Sequence, residues 1–179
     1  MREREDIVAA IVAAAGGRLT SRVRLQKVVY LLDRLGLQSG FDFDYYNYGP
    51  YSHDLDNATA DAQAFKLIEE QFEHRKSDGA RYSIFQLLEN IDPPSEAFGE
   101  LSKDRAEKLV QKLAETNVTV LELAATIDWL WRAEEVPNWR AEVERRKGSK
   151  VGGGRLERAI DLLQTLDLPP PEPRAANAA

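Results

Sequence analysis

The sequence predicts an α+β fold, with one β-hairpin among the helices of the N-terminal half and helices alone in the C-terminal half. Three observations predict it. Apolar residues recur at helical spacing over residues 7–15 and again over 25–35. Asp78-Gly79 stands between two strand-like runs, a strong short-range hairpin signal. Beyond Ser95 every patterned segment has the period of a helix.

Each element follows in order. Ile7, Val8, Ile11, Val12 and Ala15 predict a first helix over 3–15, ended by Gly16-Gly17. Thr20 or Ser21 can cap a second helix, in which Leu25, Val28, Val29, Leu32 and Leu35 form an apolar stripe and Gly36 supplies the stop. Residues 41–48 are rich in aromatics and alternate Phe and Asp at their start, which predicts a strand. Gly49-Pro50 predicts a turn. Ser52 then caps a third helix, with Asp54 near the positive end of its dipole, running to 65 or 68. The hairpin comes next, as strands over 70–75 and 81–87 about Ser77-Asp78-Gly79, and Pro93-Pro94 closes the half.

In the C-terminal half Ser102 can cap a helix containing Ala106, Leu109, Val110 and Leu113. Thr119 and Glu122 have capping-box spacing and predict the start of another, with Leu123, Ile127, Trp129, Leu130 and Trp131 in its body. Trp129 and Trp131 point to different faces, and one of them is expected in the core. Residues 139–147 predict a short charged helix, 148–154 a flexible break, and Leu156, Ile160, Leu163 and Leu166 a last helix. The expected organisation is a winged-helix-like half over 1–94, packed on a helical half over 95–168 of the same domain. A Pro- and Ala-rich tail over 169–179 is expected to be disordered.

At 179 residues the chain is long enough to bury a real core, and 43% apolar with 30% charged residues is ordinary for a folded protein. It has no cysteine, which excludes disulfides, thiolate chemistry and every Cys-based metal site. Acidic residues among the first six, and an apolar stretch that stops at Gly16-Gly17, predict a cytoplasmic protein with no membrane anchor. A net charge of -6 opposes non-specific attraction to nucleic acid or anionic lipid.

The element order also offers a charge test. A DNA-binding winged helix lays its third helix in the major groove. Between Phe41 and Phe65 stand Asp42, Asp44, Asp54, Asp56 and Asp61 with no Lys or Arg, so phosphate would repel that helix. Basic residues cluster elsewhere. Arg18, Arg22, Arg24, Lys27 and Arg34 face a single acid, Asp33, and Arg75, Lys76 and Arg81 flank the hairpin turn. Arg140, Arg145, Arg146, Lys147, Lys150, Arg155 and Arg158 outnumber Glu142, Glu144 and Glu157. Each cluster reads either as the solvated face of an element whose other side is buried, or as complementary charge for nucleic acid or an acidic protein.

Two segments carry a resemblance. Leu25-Gln26-Lys27 runs into Tyr30-Leu31, and Tyr48-Gly49-Pro50-Tyr51-Ser52 follows. In that order they resemble the Panacea family of SocA-like antitoxin domains and the related YwgA-like proteins, as does the later stretch 121–130. The resemblance covers most of residues 5–165. It implies a protein that neutralises a cognate toxin, by occlusion or as an adaptor that presents it to a protease or chaperone, and it implies no catalysis and no cofactor. Among the motif positions, Leu25, Gln26, Lys27, Tyr30, Gly49 and Pro50 are expected to be structural, with Gln26 and Lys27 either supporting the Gly-Pro corner or facing solvent.

Tyr45, Tyr46, Tyr48 and Tyr51 are the best candidates for a partner-binding surface, because tyrosine offers a large amphipathic contact at low entropic cost. His53 and Asp54 are candidates for the same partner-binding surface. Alternatively, Phe41, Phe43 and Tyr45 turn one side of the strand to the core. His53 beside Asp54 lacks a nucleophile in the local sequence, and His74 near Glu70 and Glu73 lacks metal-ligand spacing, so no catalytic or metal site is expected. Gly152-Gly153-Gly154 lacks the Lys-Ser/Thr of a phosphate loop. The expected function is a noncatalytic, antitoxin-like protein with a toxin as its partner. The alternative is a nucleic-acid-binding regulator working through Arg22, Arg24, Arg75 and Lys76.

Overall fold

The computed structural model describes residues 2–175, and their fold is α+β. The chain divides into two compact units, one made of Met1–Asp44 and Tyr51–Thr116, the other of Tyr45–Pro50 and Asn117–Ala179.

In the first unit α1 (Arg4–Ala14) is buried on all sides from Ile7 to Val12 and again at Ala14. The glycines that end it lead into a strand that the sequence pattern does not show, β1 (Arg18–Thr20). Ser21 then caps α2 (Arg22–Leu35), its Oγ accepting from Arg24 N at 3.3 Å. Gly36 ends the helix at φ +116°, a conformation in which a Cβ would be strained. After α3 (His53–Ala64), whose cap is Ser52 Oγ accepting from Leu55 N, come β4 (Ile68–His74) and β5 (Arg81–Leu87). The sheet order is β1-β5-β4, all antiparallel. Helix, short strand, two helices and a hairpin, with the first strand paired to the last, is the winged-helix arrangement. A 3-10 turn (Ser95–Phe98) and α4 (Lys103–Glu115, capped by Ser102) complete this unit by packing on α1 and α2. The expected boundary at 94/95 is therefore displaced to 116/117, because Ala97, Phe98, Ala106, Val110 and Leu113 bury their side chains in this unit.

The strand expected over 41–48 is shorter. Phe41 is buried outside regular structure and Phe43 sets its ring edge against Tyr30, with centroids 5.3 Å apart. Only β2 (Asp44–Tyr46) is extended, and it pairs with β3 (Gly49–Tyr51). A second small hairpin thus stands where one was expected in all, with its turn at Asn47-Tyr48 and Gly49-Pro50 within a strand. Gly49 takes φ +87°, which a side chain would resist.

The second unit contains α5 (Val118–Arg132), α6 (Trp139–Lys147) and α7 (Arg155–Thr165). Leu121, Leu123, Ala124, Ile127 and Leu130 of α5 belong to a core shared with Trp139, Val143, Leu156, Ala159 and Leu163. The cap of α5 is Asn117, whose Oδ1 accepts from Thr119 N and Val120 N, so the Thr119–Glu122 capping box does not form. Of the tryptophans, Trp139 is the fully buried one, and both Trp129 and Trp131 are half-buried. The glycine-rich break begins as a 3-10 turn over Gly148–Val151. The tail is a further correction over 169–175. The buried indole of Trp139 needs an acceptor and donates to Pro171 O at 2.7 Å, and Arg174 N donates to Pro137 O at 2.9 Å. Residues 176–179 of the expected disordered segment lie outside the described residues. No helix among the described residues is long and apolar enough to cross a membrane.

Candidate functional site

The candidate residues fall in both units, and each group is described within its own.

In the second unit the tip of the β2-β3 hairpin rests on a cationic helix end. Asn138 caps α6 by accepting from Ala141 N at 3.2 Å, and Arg145, Arg146 and Lys147 fill its last turn, where the helix dipole favours positive charge. Arg146 stacks on the Tyr45 ring at 4.6 Å from the centroid, with Lys147 Nζ at 5.6 Å. Lys150, carried by the following 3-10 turn, lies 4.8 Å from the Tyr48 ring. Such contacts contribute on the order of 0.5–1 kcal/mol each at exposed sites.

Beneath them is a buried charge cluster. Glu122 is 4% exposed, buried in α5 between Leu121 and Leu123. It accepts from Lys147 Nζ at 2.9 Å and from Lys150 Nζ at 2.9 and 3.0 Å. Lys147 also donates to Asn47 O at 3.1 Å, which ties the hairpin turn directly to the cluster. Arg146 is further bound by Glu134, at 2.6 and 3.0 Å, and by Glu142 at 2.7 Å. The Glu134 bond, helped by Glu142, raises the guanidinium above its ordinary range. The bonds from Arg145 and then Arg146 hold Glu142 at about 2.

The consequence for the candidate tyrosines is a division of labour. Tyr45 is half-buried against cations. Tyr46 and Tyr48 remain 45% and 55% exposed, at the tip of a turn fixed from below. Arg140, Arg145, Arg146, Lys147 and Lys150 of the C-terminal basic cluster are all ion-paired within the chain, the two lysines sharing Glu122. Sequence reasoning missed this cluster. The available signal was Glu122 itself, a carboxylate set between Leu121 and Leu123 in a largely apolar helix.

In the first unit the motif residues Leu25, Gln26, Lys27 and Tyr30 are all buried, which corrects the solvent-facing reading of Gln26 and Lys27. Gln26 clamps the residue that starts α3: its Oε1 accepts from Ser52 N at 2.8 Å and its Nε2 donates to Ser52 O at 2.9 Å and to Asp56 Oδ1 at 3.2 Å. Tyr51 donates to the Asp56 carboxylate and meets the His53 ring edge-on, with centroids 5.0 Å apart. Asp54 lies 3.4 Å from Arg4, and His53 is exposed. Gly49 and Pro50, which belong to the second unit, are buried.

The residues of the nucleic-acid alternative are used mostly within the chain. Arg22 makes a two-pronged bond to Glu70 at 2.9 and 2.7 Å, which holds its guanidinium above the ordinary range against the effect of burial. Arg24 donates to the carbonyls of Thr20, Leu113 and Thr116, closing the C-terminal end of α4, and burial lowers it below the ordinary value. Arg75 binds Asp78 at 2.9 Å across the hairpin turn, and Lys76 is exposed beside it. A cleft of about 270 Å³ at the start of α2, lined by Arg22, Phe72, Arg81 and Tyr82, has its guanidinium groups occupied by Glu70 and by the Phe72 ring. Among the described residues no group of three or more His, Cys, Asp or Glu side chains is placed to hold a metal ion.

No known protein-family model matches the chain, and no curated protein matches it in sequence.

Proposed function

We propose that this protein is a noncatalytic, antitoxin-like binding protein that neutralises a cognate toxin by direct contact, as the Panacea-like motif implies. The observation that carries the reading is the hairpin tip. Two tyrosines are about half exposed at a turn braced by a buried lysine–glutamate pair. Exposed aromatics held rigid lose little entropy on binding, which is the property of interface anchors. Occlusion of the toxin is the mechanism in this reading, and delivery to a protease or chaperone is a variant of it.

The regulator reading has less support. Of the residues that would meet phosphate, Arg22, Arg24 and Arg75 are committed to Glu70, to backbone carbonyls and to Asp78, which leaves Lys76, and α3 carries Asp54, Asp56 and Asp61. A DNA-binding surface needs cations free to replace counterions.

Co-purification from the native host, with and without nuclease, tests the proposal. The expected result is one stoichiometric, nuclease-resistant protein encoded by the neighbouring gene, toxic when expressed alone. Recovery of nucleic acid without such a protein would overturn it.

A further inference from the structure

The winged-helix sheet leaves one long edge bare. The order β1-β5-β4 puts β4 outermost, and no strand of the described residues pairs with its far side. The register shows which groups it presents. Arg75 N donates to Ala80 O and Leu88 N donates to Leu67 O, both in line with the β4-β5 pairing. Hydrogen-bonded pairs alternate along an antiparallel ladder, so Glu69, Gln71 and Glu73 bond to β5. The N–H and C=O groups of Glu70, Phe72 and His74 therefore point outward.

The side chains choose between occupants. On one face stand Glu69, Gln71 and Glu73, all exposed. Among the described residues Glu73 meets a half-exposed Arg18 at 3.7 Å and the Tyr82 hydroxyl, and Glu69 accepts from Gln71. On the other face Glu70 is already satisfied by Arg22 and Ser83, while Phe72 is 49% exposed with Arg81 stacked 4.3 Å from its ring. One face is thus acidic, and the other carries Phe72 with the Arg81 cation over its ring beside the Arg22–Glu70 pair. Antiparallel pairing of β4 with a second copy about Gln71 sets Glu69 opposite Glu73 on both sides, like charges that destabilise a strand pair, whereas pairing about Phe72 sets Glu69 opposite Arg75, so self-pairing is an outcome the test has to separate. A basic extended segment meets attraction at the same positions.

We propose that β4 is a docking edge for an extended, basic segment of a partner protein, which adds as a strand with alternate Lys or Arg residues over Glu69 and Glu73 and small or β-branched residues against Phe72. The backbone supplies the affinity and the acidic face supplies the register and the choice of partner. This surface lies in the first unit and does not depend on Tyr46 or Tyr48, so its success or failure is separate from the toxin-binding reading.

The test uses the full chain and a synthetic alternating Lys-Thr peptide of the length of β4, with an alternating Glu-Thr peptide as the control. Binding is followed by fluorescence anisotropy and by amide hydrogen exchange. The expected result is binding of the basic peptide alone, with new protection at the amides of Glu70, Phe72 and His74. Replacing Phe72 by Pro removes an outward N–H without removing a bond to β5, since proline is tolerated at such edge positions. It should weaken binding by at least about tenfold, as should Glu69→Lys with Glu73→Lys. N-methylation of alternate peptide amides should abolish binding. Absence of binding, or binding by the N-methylated peptide, or binding without protection of those three amides would overturn the proposal. So would a chain that dimerises through this edge.

Discussion

Glu122 and Lys147 stand 25 residues apart in sequence and 2.9 Å apart in space, both almost wholly buried. The same ammonium group reaches Asn47 O, so one ion pair anchors the turn that carries Tyr46 and Tyr48. Removing one partner of a buried pair leaves an uncompensated charge. Glu122→Ala should destabilise the fold by about 3–5 kcal/mol, measured by urea denaturation. The paired change Glu122→Leu with Lys147→Met should recover much of that loss in stability, yet release the turn, seen as faster hydrogen exchange near Asn47.

Gln26→Leu is the matching test in the first unit. It removes both bonds to the backbone of the buried Ser52 and one to Asp56. An unsatisfied buried backbone group costs about 1–3 kcal/mol, so a loss of about 2–5 kcal/mol is expected in the same assay. Gln26→Glu should also destabilise, because its ionised carboxylate would face Ser52 O and Asp56.

Acid should weaken the protein through α6. Bonds from Arg145 and Arg146 hold Glu142 at about 2, against an ordinary value of 4.5. Arg146 likewise depresses Glu134. A carboxylate whose folded value is depressed binds fewer protons in the native than in the unfolded state. Its contribution is complete above about 4.5 and is lost as the pH falls toward 2. Denaturation at a series of pH values should show stability falling through this window, and Glu142→Gln should flatten the fall.

These features differ in how far the sequence discloses them, and the difference is physical. Ser52, Ser102 and Gly36 act within one turn of their own helices, so their roles are legible from local chemistry. β1 is three residues with no alternation, and it exists only because β5 offers a partner more than sixty residues later. Asn117 and Thr119 both have capping chemistry, and the backbone decides for Asn117. The basic cluster of α6 looks unbalanced in sequence because Glu122 and Glu134, which neutralise it, lie outside that stretch. The exposure of Tyr46 and Tyr48 follows from the short β2-β3 hairpin, which replaces the longer strand that the aromatic run suggests.

The central claim is that Tyr46 and Tyr48 anchor a partner protein. The most direct measurement is the affinity of the co-purified partner for the wild-type chain and for Tyr46→Ala with Tyr48→Ala, alongside growth rescue in cells expressing that partner. Both side chains are largely exposed, so the variant should keep its fold with stability within about 1 kcal/mol of wild type. The account predicts a loss of at least about 2 kcal/mol in binding, and failure to rescue growth. A folded variant that binds and rescues as well as the wild type would contradict it.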